Sequence, residues 1–462
     1  MLLAVALALR LAAANNPNLR LWDEAHHALV AKNLLLHPAH PTLFDDAALP
    51  HDDKDWQRAH TWVHKPPLAL YTMALGIAVA GTSPLGARWP SALLDTLAVL
   101  LTFLLARRLL DDRAALFAAA AHALLGNALL LVCGFHPTDH VDLQLAFWVE
   151  LSAYCAVRAA ESESARWKAL FALATGAALL TKSFPGMLII AVYALTAPGS
   201  RVKRMLEAAA IAVAAYALTL PWFFHLRAHW PELQAMEAKD QLEHLWTVSQ
   251  GHEGHPLYHL EKLGEMHGVL VYLPVGWFLW RLRGADWKAR FIAAWWLVPL
   301  VLFSLSPTRM MNYLAPAAGA VCLMTGAFLS QALRGHARPW RTAAFAVVVA
   351  MLVATGRDVT RVLKRDRDWI AFREAVQRLP PRTVLLNVKP FLQAMYFGAH
   401  AAYPEVWNKE RRADAAARGY VVQVACTENG PPIPKKLCER EKVELPGEAE
   451  PVIPESDLDS GG

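Results

Sequence analysis

The stretch that decides the fold is the first polar segment of the chain, which opens with residues 21–27 (LWDEAHH) and closes with residues 64–67 (HKPP). A short apolar opening precedes it, and nearly everything downstream is hydrophobic with the pattern of helices. The segment places an acidic pair, Asp23 and Glu24, beside two histidines, and it ends on a lysine held in front of two prolines. Ionisable groups near a membrane mark functional positions, so chemistry is expected here.

The composition indicates a polytopic membrane protein. Of 462 residues, 55% are hydrophobic and only 18% are charged, and the mean hydropathy is +0.25. Soluble domains carry about 25% charged residues, and the apolar blocks of this chain recur between clusters of Arg and Lys, which is a repeated transmembrane signal. The net charge is +5, but the basic residues mark helix ends and form no single stripe, which argues against nucleic-acid binding.

The predicted fold is an all-α polytopic membrane protein with about 11–13 transmembrane helices. The apolar segment 68–80 is opened by two prolines and is predicted to be an interfacial or re-entrant helix inside the first outer loop, with a true span as the alternative. The pieces around Thr181 and Gly186 are short for a bilayer, so their boundaries are misplaced or those helices are tilted or broken. The candidate spans are residues 2–14, 89–106, 114–133, 143–160, 169–181, 186–197, 205–224, 269–280, 291–305, 313–333 and 342–355.

Charge asymmetry fixes the predicted topology. Alternate loops hold most of the Arg and Lys residues and are predicted to be the inner loops. The short loops on the other side of the membrane hold only Lys182 and Arg309, and this bias fits the positive-inside rule. The first outer loop 21–88, the loop 225–267 and the tail after residue 356 are therefore expected on the outer side of the membrane. The basic residues of the inner loops are Arg107, Arg108, Arg113, Arg158, Arg166, Lys168, Arg201, Lys203, Arg204, Arg281, Arg283, Lys288, Arg290, Arg334, Arg338 and Arg341.

The tail returns to a soluble composition. Residues 1–355 are predicted to be the transmembrane domain, with 21–88 as its catalytic loop, and residues 356–430 to be a small extracytoplasmic α/β domain. Within that domain, 366–379 has a helical pattern, and 383–388 and 420–425 have β-branched strand character. Residues 431–462 are rich in Pro, Glu and Lys and are expected to be disordered. Cys426 and Cys438 either form a disulfide outside the membrane or remain free; Cys133, Cys155 and Cys322 lie in apolar segments and are expected to be small core residues.

Asp23 and Lys65 are the leading candidate site residues. A partly buried carboxylate at the membrane surface has a tunable pKa and suits a general base, although Asp23 also suits the N-cap of a surface helix over 25–36. Lys65 is fixed at a helix N-terminus by the two prolines that follow, which makes a seat for a lipid phosphate. A lysine that merely extends its amine to the interface is the alternative.

Further charged residues stand at the mouths of other spans. Asp142 opens a span on the outer side and is a functional candidate, whereas Asp139 suits a helix cap. Lys182 lies between two apolar segments, which is costly unless it meets an anion or water. Arg309 is the cation of its loop and could clamp a phosphate. His252 and His255, with help from the first loop through His64, have spacing that could hold a divalent metal.

With these motifs in place, the chain resembles the polyprenyl-phosphate-sugar-dependent membrane glycosyltransferases of the protein O-mannosyltransferase and lipid A aminoarabinose transferase superfamily, which share the GT-C fold. The order and spacing of the matching motifs cover about residues 20–320. The motifs are Trp22-Asp23-Glu24-Ala25, His64-Lys65-Pro66-Pro67-Leu68, Gly86-Ala87-Arg88-Trp89-Pro90-Ser91-Ala92, Asp142, Thr181-Lys182, Pro221-Trp222, and Phe303-Ser304 through Pro316.

The resemblance implies a periplasm-facing site that takes a sugar from a lipid phosphate, usually with inversion. Asp23 matches the family's catalytic acid position, Lys65 the lysine that meets the donor phosphate, and Asp142 a second acidic site residue. Arg309 and Tyr313 fall in a motif near the donor lipid. Aminoarabinose transferases often have Glu before the lysine, where this chain has His64. The residues interpreted as acceptor-binding or site-shaping are Glu24, His64, Arg88 and Asp139.

The sequence therefore predicts a glycosyltransferase that uses an undecaprenyl-phosphate sugar donor and a lipid A, other glycan or protein acceptor. Asp23 would take the acceptor's proton, and Lys65, Arg309 and Lys182 would stabilise the phosphate that leaves. The predicted reaction requires no cofactor, and a divalent metal bound by the histidines is the alternative. A lipid-linked glycan ligase or polymerase is an alternative, as is a transporter, although the chain shows no internal repeat and its charges gather at the outer edge.

Overall fold

A computed structural model of the protein describes residues 1–20, 23–49, 59–136, 138–243, 246–248, 251–335, 337–425 and 442–443. Trp22 and the predicted pairing of Cys426 with Cys438 lie outside these residues. So does the predicted disordered tail 431–462, except for Lys442–Val443, which forms a short strand.

The described part of the chain up to Leu363 is built of helices that form a membrane bundle. Short 3-10 turns at Phe184–Met187, Val269–Val271 and Met311–Ala317 each lead directly into the helix that follows in sequence. The bundle helices are α1 (Leu2–Ala14), α2 (Asp23–Leu34), α3 (Pro67–Ala80), α4 (Pro84–Leu109), α5 (Asp112–Ala123), α6 (Gly126–Val132), α7 (Val141–Ser162), α8 (Ala165–Lys182), α9 (Leu188–Thr196), α10 (Arg201–Ala217), α11 (Leu220–His229), α12 (Pro231–Glu243), α13 (Tyr258–His267), α14 (Tyr272–Trp280), α15 (Trp287–Leu305), α16 (Ala318–Arg334) and α17 (Arg338–Leu363).

All the predicted spans are helical, so the all-α architecture is confirmed. By length and composition, 4 helical segments among the described residues could cross a membrane, or up to 6 if each bent pair is one span, and shorter apolar helices accompany them. The predicted single spans 114–133 and 205–224 are instead bent pairs, α5 with α6 at 41° and α10 with α11 at 40°. α8 begins at Ala165, so the short segment predicted at 169–181 was a misplaced boundary.

A buried arginine explains the bend between α5 and α6. The side chain of Arg10, on α1, donates to the carbonyls of His122 and Ala123 at 3.2 and 3.0 Å, where α5 ends. Its charge is balanced by Asp95 of α4, which accepts from Arg10 Nε at 2.5 Å. Both side chains are buried. A helix can end inside the bundle because Arg10 supplies donors to its last carbonyls, which lack their helical partners.

The helix α2 is not the surface helix that the sequence predicted. It begins at Asp23, and its residues from Glu24 to Ala31 are all buried. The C-terminal module covers it: Lys32 Nζ donates to the carbonyls of Met395 and Gly398, both at 2.6 Å. The core of that module and the buried residues of α2 and α3 form one hydrophobic cluster, so the module packs directly on the segment that carries Asp23.

The C-terminal module is a small parallel α/β layer, as its sequence pattern predicted. α17 runs to Leu363, past the predicted end of its span at residue 355, so the module begins after that residue. The elements of the module are α18 (Arg367–Gln377), β1 (Thr383–Leu386), α19 (Phe391–Phe397), β2 (Ala401–Tyr403), α20 (Lys409–Ala417), β3 (Val421–Ala425) and β4 (Lys442–Val443). The order of the strands in the sheet is β2-β1-β3-β4, with all neighbours parallel.

Candidate active site

Asp23 and Lys65 meet at the start of the first loop, as the sequence predicted. Lys65 Nζ lies 3.6 Å from Asp23 Oδ2, and the two side chains are 18% and 27% exposed. Asp23 is the first residue of α2. Lys65 precedes Pro66, whose extended backbone is followed by the start of α3. Both residues are therefore held at helix starts, where backbone N–H groups are unpaired and favour an anion.

The positive charge of Lys65 controls the ionisation of Asp23. Burial alone would raise the pKa of the Asp23 carboxyl, but the charges of Lys65 and His27 outweigh it and hold that pKa below its ordinary value. Asp23 is therefore an anion at neutral pH and can accept a proton.

Lys65 lines a cavity of about 530 Å³ that has a polar side and an apolar side. The polar lining residues include His64, Lys65, Asp142, Lys182, Asn312 and Tyr313. The apolar lining residues include Leu145, Phe184, Pro185, Leu302, Phe303 and Leu305. A cavity that combines cations with an apolar wall suits an amphiphile that carries an anionic head.

Asp142 and Lys182 form an ion pair on the polar side of this cavity. Lys182 Nζ donates to Asp142 Oδ1, and Lys182 also lies within electrostatic range of Asp23 and Tyr313. Lys182 ends α8, where the chain turns sharply at Ser183 with a φ of 55°. Lys182 was expected to meet an anion or water, and in the structure that anion is Asp142.

Arg309 takes a different position from the one predicted for a phosphate clamp. It is not among the described residues that line the cavity. Its Nη2 donates to the carbonyl of Ser304 at 3.1 Å, near the end of α15, where carbonyls lack helical partners. Its backbone N–H donates to the carbonyl of His252 at 2.8 Å. In this structure Arg309 braces the loop behind the cavity.

A buried histidine–aspartate pair stands one helical turn beyond Asp23. Asp139 Oδ2 lies 2.7 Å from His27 Nδ1, and its other oxygen accepts from the Val141 N–H at 2.9 Å. Burial would raise the pKa of Asp139, but His27 and His140 lower it below its ordinary value. Asp139 therefore accepts the first N–H of α7 from the position just before the N-cap residue His140, close to the cap role that the sequence suggested, and it also holds His27. The sequence pattern did not indicate His27 as its partner.

Glu24 and Arg88 form a buried ion pair that holds the backbone next to Asp23 in place. Arg88 donates from Nε to Glu24 Oε1 at 2.5 Å and from Nη2 to Oε2 at 2.9 Å, and both side chains are buried. Arg88 Nη1 and Nη2 also donate to the carbonyls of Asn16 and Asn18, at 2.8 and 2.5 Å. This pair fixes the turn that leads from α1 into α2, so it sets the position of Asp23 without lining the cavity.

An amide pair that no sequence pattern indicated holds one residue of the cavity wall in place. Asn127 Nδ2 donates to Asn312 Oδ1 at 3.1 Å, and Asn312 Nδ2 donates to Thr138 Oγ1 at 2.9 Å. Asn312 lines the cavity. Asn127 lies in an apolar segment and is far away in sequence, so no local pattern marks it.

The candidate metal ligands do not gather into one site. His64 Nδ1 lies 3.0 Å from Glu237 of α12, and His255 Nε2 lies 3.0 Å from Glu261. Burial lowers the pKa of His252. No group of three or more His, Cys, Asp or Glu residues is placed to hold a metal ion in the described part of the chain. The geometry thus gives the set His64, His252 and His255 no support.

The chain is similar in sequence to known membrane glycosyltransferases. Residues 64–225 match the family model described as dolichyl-phosphate-mannose-protein mannosyltransferase. The chain is 30% identical over 347 residues to an undecaprenyl phosphate-alpha-4-amino-4-deoxy-L-arabinose arabinosyl transferase of Pseudomonas aeruginosa (strain LESB58), covering 69% of this chain and 57% of that protein. It is 28% identical over 331 residues to the corresponding transferase 2 of Pseudomonas fluorescens (strain Pf0-1), covering 68% and 56%. The chain thus spans little more than half the length of these relatives.

Solved structures show the same fold. ArnT from Cupriavidus metallidurans bound to undecaprenyl phosphate superposes with a TM-score of 0.66 at 18% identity, covering 90% of this chain and 87% of that one. The archaeal oligosaccharyltransferase AglB from Archaeoglobus fulgidus, in complex with an inhibitory peptide and a dolichol-phosphate, superposes with a TM-score of 0.54 at 15% identity, covering 87% and 64%. The resemblance to the GT-C superfamily is confirmed.

Proposed function

Because this chain has the GT-C fold of the polyprenyl-phosphate-sugar glycosyltransferases, we propose that it is an inner-membrane enzyme that moves a sugar from undecaprenyl phosphate to an acceptor on the periplasmic side. The acceptor is a lipid A, another glycan or a protein. The observation that carries this proposal is that Lys65, which pairs with Asp23, lines with Lys182 a cavity that has a polar, charged side and an apolar side.

The cavity suits the donor at both of its ends. A polyprenyl phosphate has an anionic head and an isoprenoid tail, so its head would lie against Lys65 and Lys182. Its tail would follow the apolar wall formed by the end of α15 and the turn after α8. Asp142 holds Lys182 in place through their ion pair. Tyr313, whose ring centroid lies 5.1 Å from that of Phe303, joins the polar and apolar sides.

The chemistry needs a base and cations, and no acid for the leaving group. The acceptor hydroxyl loses its proton to Asp23 as its oxygen forms a bond to the anomeric carbon, and the bond from that carbon to the phosphate oxygen breaks. The lipid phosphate leaves as an anion, which Lys65 and Lys182 stabilise.

Donor binding would also activate the base. In the free enzyme Lys65 lowers the pKa of Asp23, which weakens it as a base. When Lys65 turns to a donor phosphate, its charge is shared, and the pKa of Asp23 rises toward the value that burial favours. Asp23 would thus become a stronger base only with donor in place.

Mass spectrometry of lipid and glycan fractions tests the proposal. Cells with and without the protein, and cells that carry Asp23→Asn at equal abundance, are compared. We expect one glycan or lipid species to lose a sugar both in the deletion and in the variant. Identical fractions from all three strains, under conditions where the protein is produced, would contradict the proposal.

A further inference from the structure

The cavity lined by Lys65 and Lys182 is called the donor cavity below. A second cavity lies at the opposite end of the bundle from it. Its volume is about 270 Å³, and it lies between the turn from α4 to α5 and the helices α14, α15 and α16. α15 contributes Ala289 to this cavity and Leu305 to the donor cavity. At 1.5 Å per helical residue, the two cavities are separated by roughly 25 Å along that helix. The second cavity, called the inner groove below, is therefore a separate site.

The surroundings of the inner groove are those of a membrane–water interface. Trp280, at the end of α14, is 75% exposed, and Trp340, in the first turn of α17, is 47% exposed. Tryptophan is enriched at the level of lipid headgroups, and arginine and lysine are enriched in inner loops. The basic residues at this end include Arg281, Arg283, Lys288, Arg290, Arg334, Arg338 and Arg341.

Arg281 is a positively charged residue of the inner groove that has no acidic partner among the described residues. It lines the groove, and its guanidinium carbon lies 5.1 Å from the ring centroid of Trp277. Among the described residues, no carboxylate lies within ion-pair distance of it. The acid of the groove, Asp111, is already engaged, because it accepts from Arg334 at 3.0 Å and caps α5. The groove therefore carries an unbalanced positive charge.

Ser330 provides a second polar group with an unmet requirement. It lines the groove from α16 and is 2% exposed. Its Oγ is buried and has no hydrogen-bond partner in the described part of the protein. A buried hydroxyl without a partner is costly, so a ligand that offers an oxygen here would satisfy it. Apart from Asp111 and Gln331, the rest of the wall is apolar, including Phe278 and Leu282.

We propose that the inner groove binds an anionic phospholipid. The phosphate lies against the guanidinium of Arg281, the hydroxyl of Ser330 donates to a headgroup oxygen, and an acyl chain follows the apolar wall. Basic grooves between transmembrane helices on the cytoplasmic side bind such headgroups. The lipid would join the α4–α5 turn to α14, α15 and α16, and α15 also reaches the donor cavity. The proposal does not depend on the transfer reaction.

The test uses the full-length protein, purified in neutral detergent and stripped of lipid. Thermal unfolding is measured with added dioleoylphosphatidylglycerol, dioleoylphosphatidylcholine or inorganic phosphate, and retained lipid is counted by native mass spectrometry. We expect only phosphatidylglycerol to raise the unfolding temperature and to remain bound. Arg281→Gln should bind it roughly tenfold more weakly, because a hydrogen-bonded charge is lost. The matched control Arg283→Gln removes a neighbouring exposed charge that does not line the groove and should bind normally.

Ser330→Ala separates the site from general surface charge. Removing an unpartnered hydroxyl should leave the lipid-free protein as stable as before, or more so, while reducing the stabilisation by phosphatidylglycerol. Equal weakening by Arg281→Gln and Arg283→Gln would overturn the proposal, as would an unchanged lipid effect in Ser330→Ala. An equal shift with inorganic phosphate alone would reduce the groove to an anion site and would also overturn it.

Discussion

At the scale of single residues, Asp23 and Lys65 form one electrostatic unit. Asp23 has a pKa below its ordinary value because the charge of Lys65 outweighs burial. A carboxylate with a lowered pKa stays ionised above that pKa and is lost as a base when the pH falls through it. The acid side of the pH–activity profile therefore reports on Lys65 as well as on Asp23.

Replacing Lys65 by Gln should move that acid limb to higher pH. Without the cation, burial raises the pKa of Asp23, so the carboxylate becomes protonated at a pH where the parent enzyme is still active. We also expect weaker use of the donor, because a phosphate contact is lost. The measurement is the transfer rate against pH at saturating and at low donor. Lys65→Arg keeps the charge and should keep the limb; an unmoved limb in Lys65→Gln would contradict the coupling.

The buried pair Glu24–Arg88 should matter for stability more than for chemistry. Glu24→Ala leaves the fully buried guanidinium of Arg88 without its counter-charge, which costs about 3–5 kcal/mol. The measurement is unfolding in detergent. The control Asp112→Ala breaks a pair with Arg107 in which the side chains are 81% and 52% exposed, and it should change stability by less than about 1 kcal/mol. Equal effects would refute the structural role assigned to Glu24.

Some site residues could be read from the sequence and others could not. Asp23, Lys65, Asp142 and Lys182 were predicted because ionisable groups between apolar segments are rare and their spacing follows a recognised pattern. The pairing of His27 with Asp139 was not predicted, because it depends on where distant segments meet. Arg309 was assigned to the phosphate from its charge and from the motif that it shares with Tyr313, whereas in the structure its guanidinium donates to the nearby carbonyl of Ser304.

At the scale of elements, the burial of α2 depends on a segment far along the chain. The sequence of α2 contains acids, histidines and a lysine, which is the pattern of a surface helix. The C-terminal module covers that surface, and Lys32 donates to the backbone of α19 and the turn after it. Helix positions were therefore predictable from hydrophobic runs, but the burial of this polar helix was not.

The bends between α5 and α6 and between α10 and α11 were not predicted either, because each bent pair is a continuous apolar run in the sequence.

The contact of Lys32 with the module predicts a specific dependence of stability on pH. Burial lowers the pKa of Lys32 from 10.5 to about 8. Between these values the unfolded chain binds more protons than the folded one, so the stability contribution of this group rises with pH across that window. The measurement is the free energy of unfolding from pH 7 to 10.5 for the parent and for Lys32→Met. The variant should lack the rise; an identical pH dependence would contradict the burial.

At the scale of the whole molecule, the two ends of the bundle differ in character. The end that carries the donor cavity has the Asp23–Lys65 pair and the C-terminal module, and the other end has the basic loops. From the positive-inside rule, we expect the first end to face the periplasm. This polarity was readable from the sequence, because it rests on counts of Arg and Lys and on no detail of packing.

Labelling of single cysteines tests this orientation. Cys133, Cys155 and Cys322 are buried, so a background in which Cys426 and Cys438 are serine should react poorly with a membrane-impermeant maleimide. Cysteine at Lys409, exposed in the module, should label in intact spheroplasts. Cysteine at Arg283, exposed at the other end, should label only after permeabilisation. The reverse pattern would place the site on the cytoplasmic side.

The most direct test of the central claim is transfer by the purified protein in a single turnover. A polyprenyl-phosphate sugar, labelled in the sugar, is mixed with excess enzyme and with acceptor fractions from the same cells, and both donor binding and loss of label from the donor lipid are followed. The parent should bind the donor and release its lipid phosphate, while Asp23→Asn should bind the donor and transfer nothing. Transfer by Asp23→Asn at the rate of the parent, or no donor binding by either protein, would contradict the claim.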